Sequence, residues 1–477
     1  MAEMRGPNVL WICTDQQRFD TLGATGNSFV HTPNLDGLAA SGVLCTHCFC
    51  QNPVCTPSRA SFLTGRYPRT TRCRQNGQAI PADEVPVTRV LAEAGYHCGL
   101  VGKLHISPVA PKVTPVIERR IADGYGEFHW SHHPAADWPA NEYTRWLDGR
   151  GTQFHSTPVE GCRYIRRGMP IQDHQTTWCG DVAAGFIRGA ARFNRPWLLS
   201  VNPFDPHHPF DPPPELLDQY LAGIDRIPLP NYVQGELANK PVFQQRDHRG
   251  AYNRPGSFAC SEMSPKDHRH IRAAYWAMID LIDRAVGRML DALAETGQLE
   301  RTIVIFMSDH GELLGDHGLY LKGPHFYDPA VRVPLILSWP GRVAPTVMSS
   351  LVELVDLAPT LLDACGLPRS PGMQGRSLWP LLIGQDQQVR EDVYCEFYNA
   401  GTHPDAQATM VRTASAKLVA YHGQGTGELY DLTVDANESH NLWAQGTAAA
   451  LKEQMLSKLC DRMAWTVDPL PLRQSGF

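Results

Sequence analysis

The segment with the clearest capacity for chemistry is Cys55-Thr56-Pro57-Ser58-Arg59. A Cys followed closely by Pro and then by a helical pattern predicts a helix N-terminus, where free backbone N–H groups and the helix dipole favour an anion. Arg59, one helical turn further on, is expected on the same face of the helix and adds positive charge. The segment therefore predicts an activated nucleophile at an anion site. The alternative is a buried structural cysteine, which is the commoner role of a single Cys.

Candidate metal ligands follow two apolar runs. Asp15 comes directly after Val9–Thr14, and Asp309-His310 comes directly after Thr302–Ser308. Open α/β sheets place their ligands at the carboxyl ends of the strands, so these residues are expected near one another. Oxygen ligands with one imidazole suit a hard or borderline divalent cation. The alternative is that Asp309 and His310 only cap a turn.

The elements that must position these residues alternate between buried strands and helices. Short apolar runs typical of a covered parallel sheet are Val9–Thr14, His97–Val101, Trp197–Asn202, Thr302–Ser308 and Pro334–Ser338. The clearest helix has Ser264 as its N-cap and Pro265 at its first position, and Gly297 closes it. A second helix covers Val87–Ala94. This alternation predicts an α/β sandwich.

Two stretches interrupt the alternation. Residues 107–173 are rich in Pro, His, Trp and Arg and have little periodicity, which predicts a long insertion. The Pro- and Gly-rich segment Pro368–Gly375 marks a domain boundary. We therefore expect a catalytic domain over residues 1–370 and a small domain over 371–477, with short strands and a helix at Thr447–Trp465.

Composition excludes several classes of protein. The chain has 477 residues, 43 Lys+Arg against 49 Asp+Glu, a net charge of −6 and 43% hydrophobic residues, which excludes a mainly disordered chain and argues against a nucleic-acid binder. No apolar run approaches the length of a membrane span, so no membrane partner is expected. The N-terminus is interpreted as a first strand, not a signal peptide. An odd number of cysteines, 13, does not indicate a disulfide framework, and a cytoplasmic location is the simplest prediction.

The run from Cys55 to Arg66, CTPSRASFLTGR, resembles the signature of the type I sulfatases of the alkaline phosphatase superfamily, and the resemblance extends from end to end. It implies an α/β fold with a mixed sheet between helices and a smaller C-terminal α+β domain. It also implies that a formylglycine-generating enzyme oxidises Cys55 to formylglycine. The hydrate of that aldehyde would be the nucleophile.

The resemblance implies that Asp15, Gln16, Asp309 and His310 hold one divalent ion and that the modified Cys55 completes its shell. Many family members have Asp at the position of Gln16 and Asn at that of His310. The pattern here is similar to that of the choline sulfatases and phosphonate monoester hydrolases. One carboxylate fewer and one nitrogen more make manganese an alternative to calcium.

The resemblance also implies a set of residues that handle charge. In Gly102-Lys103-Leu104-His105, Lys103 would bind a sulfate oxygen and His105 would hydrogen-bond the formylglycine diol. His207, not His208, would face the substrate, and Lys322 would be a second active-site lysine. Asn76 would contact the substrate, although Asn-Gly is also a plain turn signal. These residues supply the cations that a dianionic transition state requires.

The leading hypothesis is hydrolysis of a sulfate monoester to inorganic sulfate and an alcohol. The alternative is a phosphonate monoester or phosphodiester hydrolase that uses the same site. A non-catalytic relative is disfavoured because every element of the motif set is present. The implied partner is a small anionic ester. A homo-oligomer is also implied, in which residues 468–477 help to close a neighbouring subunit's pocket, as in the choline sulfatase branch.

Other chemically capable side chains receive a structural interpretation. Cys45, Cys48 and Cys50 lack a downstream ligand pair and are expected in the core. The histidines of the insertion, at 129, 132, 133 and 155, are expected at the substrate entrance or on the surface. Trp130, Trp138, Trp146 and Tyr143 could stack on the alcohol of the substrate, but we favour a small core of the insertion.

Overall fold

A mixed β-sheet runs through the centre of the protein. The computed structural model describes residues 6–399, 403, 405–473 and 475. The strands of this sheet are β1 (Asn8–Thr14), β2 (Val43–Phe49), β3 (His97–Gly102), β4 (Glu127–Trp130), β7 (Trp197–Asn202), β8 (Thr302–Ser308), β9 (Arg332–Ser338), β10 (Thr346–Met348) and β11 (Val352–Glu353). Between β4 and β7, the short strands β5 (Thr157–Val159) and β6 (Cys162–Arg167) pair with each other.

The spatial order of the sheet is β10-β2-β9-β8-β1-β7-β3-β4, with β11 also paired to β2. All neighbours are parallel except β9, which is antiparallel to both β8 and β2. The expectation of a parallel strand at Pro334–Ser338 is therefore wrong in direction, because a run buried on both faces looks the same in either orientation. Because β9 runs opposite to both of its neighbours, β2 points the same way as β8 and β1. The carboxyl ends of β1, β2, β3, β7 and β8 thus share one edge of the sheet.

Helices cover both faces of the sheet. They are α1 (Pro33–Ala40), α2 (Cys55–Thr64), α3 (Pro68–Thr71), α4 (Val87–Glu93), α5 (Glu142–Gly149), α6 (Gln175–Ala190), α7 (Pro214–Leu221), α8 (Val242–His248), α9 (Pro265–Glu295), α10 (Asp328–Val331), α11 (Leu357–Ala364), α12 (Trp379–Leu382) and α13 (Ala449–Trp465). Alternate side chains of β1 enter two cores: Val9 and Trp11 pack with α2, α4 and α11, whereas Leu10 and Ile12 pack with α1, α6 and α9. The predicted α/β sandwich is confirmed.

The predicted cap of the long helix α9 is confirmed. The Ser264 hydroxyl accepts a hydrogen bond from the Asp267 backbone N–H, and the Asp267 carboxylate accepts one from the Ser264 N–H in return. Pro265 occupies the first helical position. This helix is anchored at the centre of one face, where it contacts α6 and α7.

The segment 107–173 has more regular structure than its composition predicts. Residues Glu127–Trp130 form β4, which pairs in parallel with β3 and becomes the edge of the central sheet. A four-residue strand is too short to show a hydrophobic period, so β4 could not be predicted from the sequence. Trp130 and Trp138 are buried and pack edge-to-face at 5.7 Å, which confirms the core interpretation for these two side chains.

The C-terminal region has its own antiparallel sheet in the order β12 (Asp392–Tyr398), β13 (Gln407–Thr413), β14 (Ala416–Tyr421) and β15 (Thr426–Asp431). Helix α13 packs on β13 and β14 through Met455 and Leu459, which confirms the predicted sheet and helix. The domain boundary near residue 370 remains a prediction. The predicted role of the tail, 468–477, falls partly on residues 474, 476 and 477, which lie outside the described residues.

A buried carboxylate joins the two sheets. Glu353, at the end of β11, is fully buried and accepts hydrogen bonds from the Tyr67 hydroxyl at 2.5 Å, from Arg462 of α13 at 2.6 Å and from the Tyr394 backbone N–H of β12 at 2.6 Å. Arg390 completes the network. The charge of Glu353 is thus matched by two buried guanidinium groups.

Glu353→Gln is expected to destabilise the protein by about 3–5 kcal/mol, because buried arginines then face a neutral amide that introduces two N–H donors where the carboxylate only accepted. A fall in the urea midpoint measures this effect. Glu391→Gln is the matched control, since the Glu391 side chain is 81% exposed and only reaches Lys458 at 3.7 Å. Equal midpoints for the two variants would contradict the prediction.

None of the helices among the described residues is both long and apolar enough to cross a bilayer. Cys45, Cys48 and Cys50 are buried in or next to β2, and among the described residues they belong to no group of metal-ligating side chains. This agrees with their expected place in the core.

Candidate active site and metal centre

Most of the predicted site residues follow strands that end at the shared carboxyl edge of the sheet. Asp15 and Gln16 follow β1, Cys55 begins α2 after β2, Lys103 and His105 follow β3, His207 follows β7, and Asp309, His310 and Lys322 follow β8. These side chains are buried, except that His207 is partly exposed. Residues up to 307 positions apart in sequence therefore meet because the strands run in one direction.

Cys55 is the first residue of α2, as predicted, with Val54 as the residue before the helix. Its Sγ lies 3.0 Å from Lys322 Nζ, 3.1 Å from His310 Nε2 and 3.6 Å from Asp15 Oδ1. Burial and Asp15 act to raise the pKa of the thiol, but Lys103, Lys322 and His310 outweigh them and lower it to about 7. The surroundings of Cys55 favour an anion at the position of its side chain.

Asn76 holds the first turn of α2. Its Oδ1 accepts a hydrogen bond from the Thr56 backbone N–H at 2.9 Å, one of the N–H groups that the helix itself leaves unpaired. The plain turn interpretation of Asn76-Gly77 is thus incomplete, because the Asn side chain supports the helix that begins at Cys55. Asn76 also lines the cavity above Cys55, where a substrate contact remains a prediction.

Arg59 lies in α2, one turn after Cys55, and is 1% exposed. Its Nε donates to Asp309 Oδ2 at 2.8 Å, its Nη2 to Asp15 Oδ2 at 3.3 Å and its Nη1 to the Lys103 carbonyl at 3.1 Å. Burial alone would lower the pKa of Arg59, but Asp309 and Asp15 raise it above its usual value. Arg59 therefore fixes the two carboxylates and stays charged.

Four side chains form a group that could hold a metal ion. Ligand atoms of Asp15, Cys55, Asp309 and His310 all lie within 4.8 Å of one another. His310 Nδ1 lies 2.9 Å from the Gly311 carbonyl oxygen and so carries the ring hydrogen, which leaves Nε2 as a lone-pair donor towards the group. Burial acts to raise the pKa of Asp15, but Lys103, His207 and Lys322 hold it well below its ordinary value. Asp15 is therefore in the charged form that a cation requires.

Gln16 follows Asp15, a member of this group, directly in the chain. Its backbone is left-handed, with φ at 69°, and its side-chain Oε1 is buried without a hydrogen-bond partner among the described residues. Its Nε2 donates to Glu312 and lies 3.4 Å from His208 Nδ1. A buried amide oxygen left free in this way is costly unless it has a ligand, so Gln16 fits a metal centre.

Lys103 and His105 follow β3 as predicted. Lys103 Nζ lies 2.5 Å from Asp15 Oδ2 and 5.3 Å from the centre of the Phe204 ring. His105 is held in a left-handed conformation, φ 54°, by the Glu118 carboxylate, which accepts its backbone N–H at 2.8 Å. Burial, Lys103 and Arg59 hold the pKa of His105 well below its usual value, so the imidazole is neutral and able to accept a proton.

His207 and His208 stack on each other with ring centres 4.1 Å apart. His207 Nδ1 lies 2.5 Å from the His208 carbonyl oxygen, which fixes the ring, and burial together with Lys322 keeps its pKa well below the usual value. Both imidazoles line the cavity, so the choice of His207 over His208 as the substrate-facing residue remains a prediction. His208 is the one that contacts Gln16.

A cavity of about 520 Å³ opens above Cys55. It is lined by Cys55, Asn76, Lys103, His105, His132, His133, Pro134, Ala135, Phe154, Phe204, His207, His208, Pro209, Tyr252, Arg254 and Lys322. His132 and His133 thus line the cavity, and their expected place at its entrance remains a prediction. His129 and His155 do not line this cavity, and His129 instead pairs with Glu142 at 2.8 Å.

Several supporting residues were missed by reasoning from the sequence. Glu312 and Glu118 orient Gln16 and His105, and Phe154, Tyr252 and Arg254 form the outer wall of the cavity. None of them belongs to a readable motif. A carboxylate that accepts hydrogen bonds from backbone N–H groups produces no recognisable sequence motif, because almost any residue type can supply such a donor.

Comparison with known proteins identifies the family. The profile described as Sulfatase matches residues 7–367, and one described as N-sulphoglucosamine sulphohydrolase, C-terminal, matches residues 315–464. The chain belongs to the sulfatase family. This confirms the family predicted from the Cys55 motif and the class of enzyme that the family defines.

Individual relatives of this sulfatase extend over most of its length. It is 29% identical over 458 residues to an arylsulfatase of Clostridium perfringens, covering 91% of this chain and 90% of the relative. It is 28% identical to a choline-sulfatase of Rhizobium meliloti, covering 91% and 82% of the two chains. The crystal structure of a phosphonate monoester hydrolase of Agrobacterium radiobacter superposes with a TM-score of 0.83 at 27% identity, covering 98% of this chain and 97% of the other.

Proposed function

We propose that this sulfatase hydrolyses a sulfate monoester to inorganic sulfate and an alcohol, after a formylglycine-generating enzyme has oxidised Cys55 to formylglycine. The observation that carries the proposal is the position of Cys55 at the start of α2, with Lys322 Nζ 3.0 Å from its Sγ. Arg59 and Asn76 hold the surrounding groups in place. The hydrated aldehyde at this position would supply the attacking oxygen.

We also propose that Asp15, Gln16, Asp309 and His310, with residue 55, hold one divalent ion, either calcium or manganese. The mixed oxygen and nitrogen donors suit either ion, and His310 Nε2 favours manganese. When bound, the ion would neutralise charge on the nucleophile and on the sulfuryl oxygens. Arg59 forms ion pairs with both aspartates and would hold them in orientation for that role.

The remaining residues divide the handling of charge and protons. Lys103 and Lys322 would offset the negative charge that grows on the sulfuryl oxygens. His207, or Lys322 in its place, would protonate the leaving alcohol oxygen. His105, neutral and buried beside the nucleophile, would take the proton that must leave residue 55 before sulfate is released.

Glu312→Gln is expected to weaken metal binding by about 10–100-fold. Oε1 of Glu312 accepts from the Leu314 N–H at 2.9 Å, so the new amide oxygen stays there and its NH₂ faces the NH₂ of Gln16. The two NH₂ groups repel each other, so Gln16 must rotate its amide by half a turn. Its Nε2 then occupies the position of the free Oε1, where a nitrogen that carries hydrogens cannot bind the ion. Competition with a calibrated chelator measures the change for Ca²⁺ and Mn²⁺. An unchanged metal Kd would remove Gln16 from the ligand set.

The second candidate function is a phosphonate monoester or phosphodiester hydrolase, favoured by the similarity to the Agrobacterium enzyme over 98% of this chain. The deciding experiment compares kcat/KM for a sulfate monoester and a phosphonate monoester with the same aryl leaving group. Enzyme loaded with Ca²⁺ or Mn²⁺ is used after mass spectrometry has identified formylglycine at position 55. A preference for sulfate by several orders of magnitude supports the proposal. Equal or faster phosphonate hydrolysis overturns it in favour of the second candidate.

A further inference from the structure

The cavity above Cys55 carries an unusual balance of charge for this chain. Its lining contains three permanent cations, Lys103, Lys322 and Arg254, and no carboxylate, although the chain as a whole has a net charge of −6. Lys103 and Lys322 lie next to the nucleophile, within reach of Asp15 and Cys55. Arg254 pairs with neither Asp15 nor Cys55 and forms part of the outer wall of the cavity. The third cation therefore exceeds what one sulfate group needs.

Arg254 has an exposed side chain that makes no ion pair and no side-chain hydrogen bond with any residue that the structure describes. Its backbone, in contrast, is firmly held. Its N–H donates to the Gly250 carbonyl at 3.2 Å, and its carbonyl accepts from the Ser257 N–H at 3.0 Å. A Cβ at Gly250 would lie 2.1 Å from the Arg254 carbonyl oxygen, so the turn closes tightly on itself. A free guanidinium thus sits on a fixed support.

The turn is also strained and tied to the catalytic loop. Tyr252 and Asn253 are both left-handed, with φ of 61° and 53°, and such strain persists only where surrounding contacts enforce it. Buried Asp247 supplies these contacts: its Oδ1 accepts from the Asn253 N–H at 2.8 Å, and its Oδ2 lies 2.9 Å from His325 Nε2. His325 comes three residues after Lys322. The position of Arg254 is therefore set relative to Lys322.

The space between the nucleophile and Arg254 suits a ring. The cavity measures about 520 Å³, much more than one sulfate needs and in the range of small-molecule sites. Phe154, Phe204 and Tyr252 supply apolar walls. No acidic side chain lines the wall to balance a positively charged alcohol.

We propose that Arg254 binds a second anionic group on the alcohol part of the substrate. This inference rests on the proposed function and narrows it: the substrate is a sulfate ester whose alcohol carries a carboxylate or a further sulfate on a ring. A quaternary ammonium alcohol is disfavoured, because Arg254 would repel it and no carboxylate in the lining would attract it. Pre-organisation of the turn reduces the entropy lost when Arg254 binds.

The test uses three aryl sulfates that share one ring: para-carboxymethylphenyl sulfate, its neutral carboxamide and the matching trimethylammoniomethyl compound. We expect wild-type kcat/KM to be about tenfold higher for the acid than for the carboxamide, and lowest for the cation. Arg254→Gln should abolish the preference for the acid and leave the carboxamide rate unchanged. Arg249→Gln is the matched control, since Arg249 is exposed on the same segment but does not line the cavity.

The outcomes separate this inference from the proposed function. Hydrolysis of the carboxamide with no preference for the acid, or a preference that survives Arg254→Gln, would overturn the inference alone. Equal losses on the acid and the carboxamide would also overturn it, since Arg254 would then act on the reaction and not on the second anion. If no sulfate ester is hydrolysed, the proposed function fails, and Kd values of the three esters for Cys55→Ala still test the charge preference of the wall.

Discussion

Cys55→Ser is expected to release one equivalent of alcohol per active site and then stop. A serine hydroxyl at the start of α2 is placed beside the same lysines as the natural nucleophile and can attack sulfur once. The product is a stable sulfate ester on serine, whose release would need a second attack on a crowded anionic sulfur. In the proposed mechanism the hydrated aldehyde has a second hydroxyl, whose proton would pass to His105 while the C–O bond breaks, sulfate leaves and the aldehyde forms again.

A pre-steady-state burst with a chromogenic aryl sulfate measures this directly, and intact mass spectrometry should find one added sulfuryl group on the peptide that contains residue 55. Steady-state turnover should fall by at least about 10⁴-fold, since the whole nucleophilic pathway is lost. Cys55→Ala is the control, which should give neither burst nor adduct. Sustained turnover by the serine variant would refute release through the aldehyde.

The grouping of the candidate site residues could be predicted from the sequence because they occur in contiguous motifs that follow apolar runs typical of strands. Asp15, Cys55, Lys103 and Asp309 each follow an apolar run within a few positions, and parallel strands bring such positions together. The direction of β9 could not be predicted, since a strand buried on both faces carries no record of which way its neighbours run. β2 points the same way as β1 only because β9, which is antiparallel to both of its neighbours, lies between β2 and β8.

The supporting residues could not be predicted for a different reason. Glu312 holds Gln16, Glu118 holds the backbone of His105, and Asp247 holds the turn before Arg254. Each acts through at least three hydrogen bonds, and neither its type nor its spacing distinguishes it from a surface carboxylate in the sequence. Arg59 was predicted to add positive charge at the site. In the structure its guanidinium forms ion pairs with Asp15 and Asp309.

The outer wall of the cavity explains why the reaction class was easier to infer than the substrate. Tyr252 and Arg254 lie in a stretch without helical or strand periodicity, and their place at the cavity follows from two left-handed residues that the sequence does not mark. Gly250 is the one visible trace, as its closeness to the Arg254 carbonyl excludes a side chain. Specificity therefore depends on turns that only the folded chain reveals.

His207→Ala is expected to slow the hydrolysis of sulfate esters with poor leaving groups by roughly 10²–10⁴-fold, and to have little effect on para-nitrophenyl sulfate. The reason is that a phenol or alkyl alcohol needs a proton as its bond to sulfur breaks, whereas nitrophenolate leaves without one. In the free enzyme, the pKa of His207 is held well below its ordinary value by burial, by Lys322 and by His208. A bound sulfate anion adds negative charge beside the ring and opposes the effect of Lys322, so the imidazolium becomes more stable when substrate is present.

A series of aryl sulfates of increasing leaving-group pKa measures the effect, and the slope of log kcat/KM against that pKa should become steeper in the variant. Lys322→Met separates the two candidate acids. If Lys322 acts through its charge, Lys322→Met should slow the hydrolysis of esters with good and with poor leaving groups by similar factors, since every sulfuryl transfer develops negative charge near Nζ. A steeper slope for Lys322→Met and an unchanged slope for His207→Ala would assign the acid to the lysine instead. His208→Ala tests the neighbouring ring: it should leave the slope unchanged and weaken metal binding through its contact with Gln16.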